Sequence, residues 1–437
     1  MVPFFVNGMF VVRGDVYSMR FLAQFNEAGT LELDVTSLDS EYTRRVEIQL
    51  EARAWPTVIE AAIDDAAMGP DVVRRYAYVA AFGIERVSGT FVLVGARARD
   101  DLRFGFVSCN DNCAPTEWNT YRRRGTESAW PALCDELVDV IVHCGDQVYA
   151  DSVYDAARAG AGSEECLAML SELYTTTYAE SSQARAMRNA LNVAILDDHE
   201  VADGYGVVPI DPSYAALALS AYRAYQCDLR ANAFCAATED YSFVERIGKY
   251  VLVALDERSS MLRSGVAVDE HAVQLVARSA REARREAREL IVVSPRPLVY
   301  LDPVSTLVCS AIASDGRDAL MHPSNMHGTL RLRGALLEHR AQGGSACVVS
   351  GDVHCAFVQT HSGVCSGGTL EELVTSGVSR APLASEPAHM RLAAAAAFAS
   401  FAFCAPLLGV ARRSQVECSA NYGVLVAGEL RAHKHTN

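Results

Sequence analysis

Leu137 to Cys144, LVDVIVHC, is a compact apolar run that ends in Gly145-Asp146-Gln147-Val148-Tyr149-Ala150-Asp151. A short run rich in Val and Ile, closed by glycine and acids, has the length and composition of a strand buried on both faces. The pattern recurs along the chain. Leu102 to Val107 leads into Ser108-Cys109-Asn110-Asp111, Val193 to Leu196 into Asp197-Asp198-His199-Glu200, Tyr250 to Leu255 into Asp256-Glu257-Arg258, and Cys347 to Ser350 into Gly351-Asp352-Val353-His354. Helical stretches, among them Ser163 to Leu191 and Val268 to Leu290, separate the runs. This alternation predicts an α/β sheet with five polar clusters at the carboxyl ends of its strands, the edge where such folds bind ligands. The dense charge of Val268 to Leu290 reads as a solvated helix face, not as a binding site.

Ahead of this region the pattern is different. Thr30 to Val35, Arg44 to Leu50 and Thr90 to Val94 are short β-rich runs between turn formers, so residues 1–100 read as a β-rich N-terminal module and residues 101–437 as the domain that carries the chemistry. The chain has 437 residues, half of them apolar and 21% charged, and its 39 basic against 54 acidic residues give a net charge of −15. Such a balance repels phosphate backbones and argues against a nucleic-acid partner. A small anionic substrate then needs local positive charge, which bound metal ions supply.

Thirteen cysteines, an odd number with no Cys-x-x-Cys pair, read as reduced thiols of a cytoplasmic protein, most of them packed in the core. The N-terminal apolar run has no basic residues before it and Asp15 soon after, unlike a secretory signal. Leu392 to Ala411 carries no charge and is followed by Arg412 and Arg413. It is long enough to span a bilayer, but alanine dominates it and Pro406 interrupts it, so the preferred reading is a buried helix and the alternative is a membrane anchor.

Asp146, Asp151, Asp197, Asp198, His199, Glu200, Asp352 and His354 pose an electrostatic problem. Several carboxylates buried at one sheet edge cannot all stay ionised without a compensating cation. Carboxylates mixed with imidazoles suit a pair of ions about 3.5–4 Å apart that activate a water for attack on phosphorus. Any one of these acids could instead cap a helix. Cys109 and Tyr149 offer a thiolate and a phenolate, which favour trivalent iron, although a strand-end cysteine is also a common packing residue.

The ordered set SCND, GDQVYAD, DDHE and GDVH resembles the PhoD-like phosphatases, the alkaline phosphatase D branch of the calcineurin-like metallophosphoesterases, over about Asp101 to Arg380. His143 through Asp151 is similar to the second motif of the cytosolic, signal-less members, and Cys365 through Ser379 to the strand and turn after their last histidine. The resemblance implies a four-layer α/β/β/α sandwich. It implies Cys109, Asp146, Tyr149, Asp198, Asp352 and His354 as metal ligands, with Asp146 bridging, and His199 as the acid that protonates the leaving group. It implies two ions, iron with calcium or another divalent ion, and a small phosphoester as substrate, monoester or diester. Glu200 or Asp203 is expected to orient His199, and Arg258 either to steady a substrate oxygen or to pair with Asp256 or Glu257. Asp315 through His322 lacks the Trp of the cytosolic members but keeps His322, which with His327 is a further candidate near the metals. The rival reading is a catalytically silent scaffold or binding protein.

Overall fold

The computed structural model describes residues 4–13, 16–53, 55–111, 128–230, 240–312, 317–363, 367–379, 408–412, 414, 416–417 and 419–434. The stretch 392–407, Cys113, Cys235, Cys365, Cys404, Cys418, Asp315, Gly316 and Arg380 lie outside them. No helix among the described residues is long and apolar enough to cross a membrane.

Among the described residues, eight strands lie between Phe4 and Val94 and form two four-stranded antiparallel sheets. Their alternating residues turn Phe21, Leu31, Leu33, Tyr76, Tyr78 and Phe91 into one aromatic and aliphatic core, with the Tyr76 and Phe91 rings stacked 5.1 Å apart. Asn7 ties this region to the chain beyond residue 100: its side-chain amide donates to the Arg188 carbonyl (2.7 Å), and its own carbonyl accepts from the Asn192 side chain (2.9 Å).

Beyond residue 100 the apolar runs become strands of two mixed sheets. In one, Leu191–Ala194, Val140–His143 and Phe104–Val107 run parallel, and Asn421–Val426 and Glu429–Lys434 continue it antiparallel. In the other, Tyr250–Ala254, Glu289–Ser294, Ser345–Ser350 and Thr369–Val374 run parallel, flanked by the antiparallel strands Phe243–Ile247, Phe357–Ser362 and Val410–Arg412. One continuous core joins Phe104, Val142 and Val193 of the first sheet to Leu252, Ile291 and Val349 of the second, and the Phe104 and Tyr250 rings meet edge to face at 4.8 Å. The other face of the first sheet packs Ile141 and Val107 against Trp130, Leu133 and Ala186, and that of the second packs Val253 and Val292 against Val276, Leu332 and Leu336.

The helical stretches are shorter than their sequence suggests. Ser163–Tyr178 and Ser181–Asn189 are separate helices, because Glu180 leaves the helical path and its carboxylate accepts from Ser182 N (3.0 Å) and Gln183 N (2.8 Å). The charged helix Glu270–Arg285 ends before Glu289–Ser294, whose Ile291-Val292-Val293 core is a buried central strand.

Candidate metal and catalytic site

The polar clusters converge, but where two sheets meet and not along one. Cys109 follows Phe104–Val107, Asp146 follows Val140–His143, and Asp197, Asp198 and His199 follow Leu191–Ala194 in the first sheet. Arg258 follows Tyr250–Ala254 and Asp352 and His354 follow Ser345–Ser350 in the second. Backbone bonds from Asn110 N to the Asp146 carbonyl (2.7 Å) and from Val378 N to the Ser108 carbonyl (3.0 Å) lace the loops together. Gly145 makes the approach possible. Its φ is +102°, and a Cβ there would stand 2.6 Å from Asp197 Cβ.

Seven non-glycine described residues have positive φ, and four of them are Cys109, Asp146, Asp352 and His354. Left-handed backbone costs about 1 kcal/mol or more for such residues and persists only where the surroundings impose it. Strain therefore concentrates on the side chains expected to hold metal.

Two groups of potential ligands are assembled: Asp146, Asp198 and His199, and Asp197, Asp198 and Asp352, each with ligand atoms within 4.8 Å of one another. Cys109 Sγ lies 3.4 Å from Asp146 Oδ2, and the Tyr149 hydroxyl 3.5 Å from His354 Nε2. Burial holds the Asp146 carboxyl well above the usual carboxylate range, with Cys109, Asp197 and Asp198 adding to the effect. Enclosure does the same to Asp352, reinforced by Asp197 and Asp318. Asp198 behaves oppositely: burial alone would raise it, but Arg258, His199 and the Gly204 N–H outweigh burial and bring it to about 2. Asp197 Oδ2 is buried and has no hydrogen-bond partner. A cluster in which burial works against charge on Asp146 and Asp352 and leaves an Asp197 oxygen unpartnered fits a cation of higher charge than a guanidinium.

His199 is held by a residue other than those expected. Its Nδ1 lies 2.8 Å from Asp151 Oδ2, its ring sits 4.1 Å from that of Tyr149, and its backbone N–H donates to Asp146 Oδ1 (3.3 Å). Burial pulls the imidazole down, yet Asp151, Asp198 and Asp146 together hold it well above its ordinary value. Asp203 reaches this pair through its N–H, which donates to Asp151 Oδ1 (2.8 Å). Glu200 instead braces loops, accepting from Gln147 N (2.6 Å), Asp197 N (2.8 Å) and Asp146 N (3.2 Å). Burial raises its carboxyl to about 7.

Arg258 occupies a different place from one beside a substrate oxygen. Its side chain is wholly buried and bonds Asp197 through Nε, Asp198 (3.0 Å) and Asp318 (2.6 Å), with Asp352 at 3.7 Å. Neither Asp256 nor Glu257 is its partner: Asp256 caps the helix Glu257–Ser264, and Glu257 pairs with Arg296 (2.9 Å). His322 Nδ1 lies 2.7 Å from Ser324 Oγ, and His327 lines an open surface depression with Asp269 and His271; neither is in the two groups of potential ligands. Asp318 and Ser376 complete the site without having been singled out. Thr375-Ser376 follows the strand Thr369–Val374 as the other clusters follow theirs, but Glu371 and Glu372 interrupt its apolar pattern and hid it in the sequence.

Against known families, a model described as PhoD-like phosphatase matches residues 104–284, from the first candidate ligand strand through the Arg258 helix. Over those residues the chain is similar to the PhoD-like phosphatases. The solved structure of PhoD superposes on 99% of this chain and 86% of its own with a TM-score of 0.64 at 13% identity, so PhoD-like describes the fold well beyond the matched segment. A dimetal phosphatase from Danio rerio is also similar, at 13% identity over 65% of this chain and 90% of that one, with a TM-score of 0.39. No curated protein sequence matches. The chain thus has a mixed α/β fold similar to that of PhoD.

Proposed function

We propose that this protein is a metal-dependent hydrolase of small phosphomonoesters or phosphodiesters with a dinuclear centre. One observation carries the reading: two groups of potential ligands, Asp146, Asp198 and His199 and Asp197, Asp198 and Asp352, share Asp198, and the buried Asp197 Oδ2 lacks a hydrogen-bond partner. In this reading Asp146, Cys109, Tyr149, Asp198, Asp352 and His354 would hold the two ions, with Asp197 beside them. Thiolate and phenolate donors suit iron, and the carboxylate-rich side suits calcium or another divalent ion. When bound, the ions supply charge for the phosphoryl oxygens and a water acidic enough to deprotonate near neutral pH.

The chain's own residues do the rest. His199 is the proton donor to the departing alkoxide: Asp151 holds its Nδ1, which leaves Nε2 to face the reacting group. Arg258 is a positioning residue that keeps Asp197, Asp198 and Asp318 in register. We read the two mixed sheets, with Trp130 and Leu133 outside one and Leu332 and Leu336 outside the other, as a four-layer α/β/β/α sandwich to which residues 1–100 add a β-rich module. Cys109, Cys134, Cys144, Cys166, Cys227, Cys347 and Cys355 are free thiols, in keeping with a reducing, cytoplasmic setting.

Asp146→Asn tests the reading. Hydrolysis of a chromogenic phosphoester is expected to fall to background while thermal unfolding stays cooperative; full activity would remove the bridging role. Metal analysis of protein purified without chelator is the companion measurement. No metal together with no turnover would favour a silent scaffold.

A further inference from the structure

The Ser376 hydroxyl touches two candidate ligand residues at once. Its oxygen accepts from the His354 backbone N–H (2.8 Å) and lies 2.9 Å from Cys109 Sγ. Proton bookkeeping orients the second contact. The His354 N–H can only donate, so it occupies a lone pair of the serine oxygen, and the single hydroxyl proton is left for sulfur. Ser108 cannot compete: its Oγ is 3.5 Å from the sulfur, but its one proton goes to the Thr375 carbonyl at 3.0 Å. A proton on Cys109 itself would point to Asp146 Oδ2, and it departs when the thiol becomes a ligand.

The serine is also held from behind. Asn421 Oδ1 accepts from Ser376 N (3.0 Å), Asn421 Nδ2 donates to the Ser376 carbonyl, and Ser376 is wholly buried. The hydroxyl is thus fixed between a strand end of one sheet and a loop of the other. The shared aim of these contacts is the sulfur.

We propose that Ser376 is a positioning residue that donates its hydroxyl proton to the Cys109 thiolate and so sets how strongly that sulfur donates to its ion. The inference rests on Cys109 being a ligand, as in the reading above. A hydrogen bond to a coordinated thiolate draws density from the sulfur lone pairs, lowers the energy of the donor orbital and raises the reduction potential of a redox-active ion.

Cobalt(II) added to the metal-free, full-length chain is the probe, and the sulfur-to-cobalt charge-transfer band is the readout. In Ser376→Ala the band should move to longer wavelength with its intensity kept, and Ser376→Thr, which retains a hydroxyl, should restore the original position. Ser376→Cys is close in shape and a weaker donor, so it should shift the band in the same direction as alanine, and it decides the matter if alanine does not fold. A band unmoved in whichever of these two variants folds overturns the role of Ser376 while leaving thiolate ligation intact. Cobalt that binds the wild-type chain without any sulfur band overturns Cys109 ligation itself.

Discussion

Asp151 and His199 show how little a motif says about its own wiring. Both belong to the quoted clusters, but their pairing depends on a helix that starts at Asp151 and brings its first carboxylate under the imidazole, 2.8 Å away. Asp151→Asn keeps the shape and removes the charge. Turnover is expected to fall about 100-fold on an alkyl phosphoester and less on an aryl ester, whose leaving group departs without a proton; a leaving-group series checks this. Equal losses across the series would show that His199 is not the acid. A second buried histidine has a structural task. Glu372, fully buried, accepts from His361 Nε2 (2.7 Å), Gln359 Nε2 (2.7 Å), Leu298 N (2.8 Å) and Ser350 Oγ (2.9 Å). Burial pushes its carboxyl up, but these donors win and hold it below the ordinary value. A depressed folded-state pKa stabilises the fold above the unfolded value of about 4.3, and that stabilisation is lost as pH falls through the lower folded value. Glu372→Gln should therefore cost about 2–3 kcal/mol at pH 7 and flatten the acid limb of a plot of Tm against pH below about 4. An acid limb as steep as that of the wild type would refute it.

At the scale of elements, the site depends on loops that pass closer than side chains ordinarily allow. Gly145 combines φ +102° with the 2.6 Å approach to Asp197 Cβ, so an added methyl meets backbone strain and a clash together. Gly145→Ala is expected to lower stability by roughly 2–4 kcal/mol in thermal unfolding and to weaken metal uptake, because relief of the clash moves Asp197 away from Asp198. Normal unfolding with normal metal content would mean that the loop has slack. The apolar runs that lead into these loops were readable because central parallel strands are continuous Val/Ile stretches. Glu289–Ser294 escaped because its flank is the charge-rich helix, and helical periodicity extended into it before the β-branched residues could be separated.

For the whole molecule, the N-terminal strands and the two mixed sheets share one core, in which Phe21, Tyr78 and Phe91 belong to the same cluster as Val142 and Val193. Asn7 and Arg75 cross the join, the latter to Asp139 at 2.7 Å. A chain beginning at residue 101 exposes that face. It is expected to be poorly soluble, or to unfold well below the full-length protein in calorimetry; an unchanged Tm would make residues 1–100 a detachable module.

What could be read from residue order was local. Five strand-to-cluster transitions, the motif order that resembles the PhoD-like phosphatases, and the candidate set Cys109, Asp146, Tyr149, Asp198, His199, Asp352 and His354 each depend on neighbours a few positions apart. Tertiary structure decided which of two sheets each cluster belongs to, that Arg258 is enclosed by four carboxylates, that Asp151 serves His199, and that Ser376 lies between Cys109 and His354. The reason is physical: strand periodicity is written in adjacent side chains, whereas the pairing of charges is set by which distant segments pack together, and no short stretch of chain carries that distance.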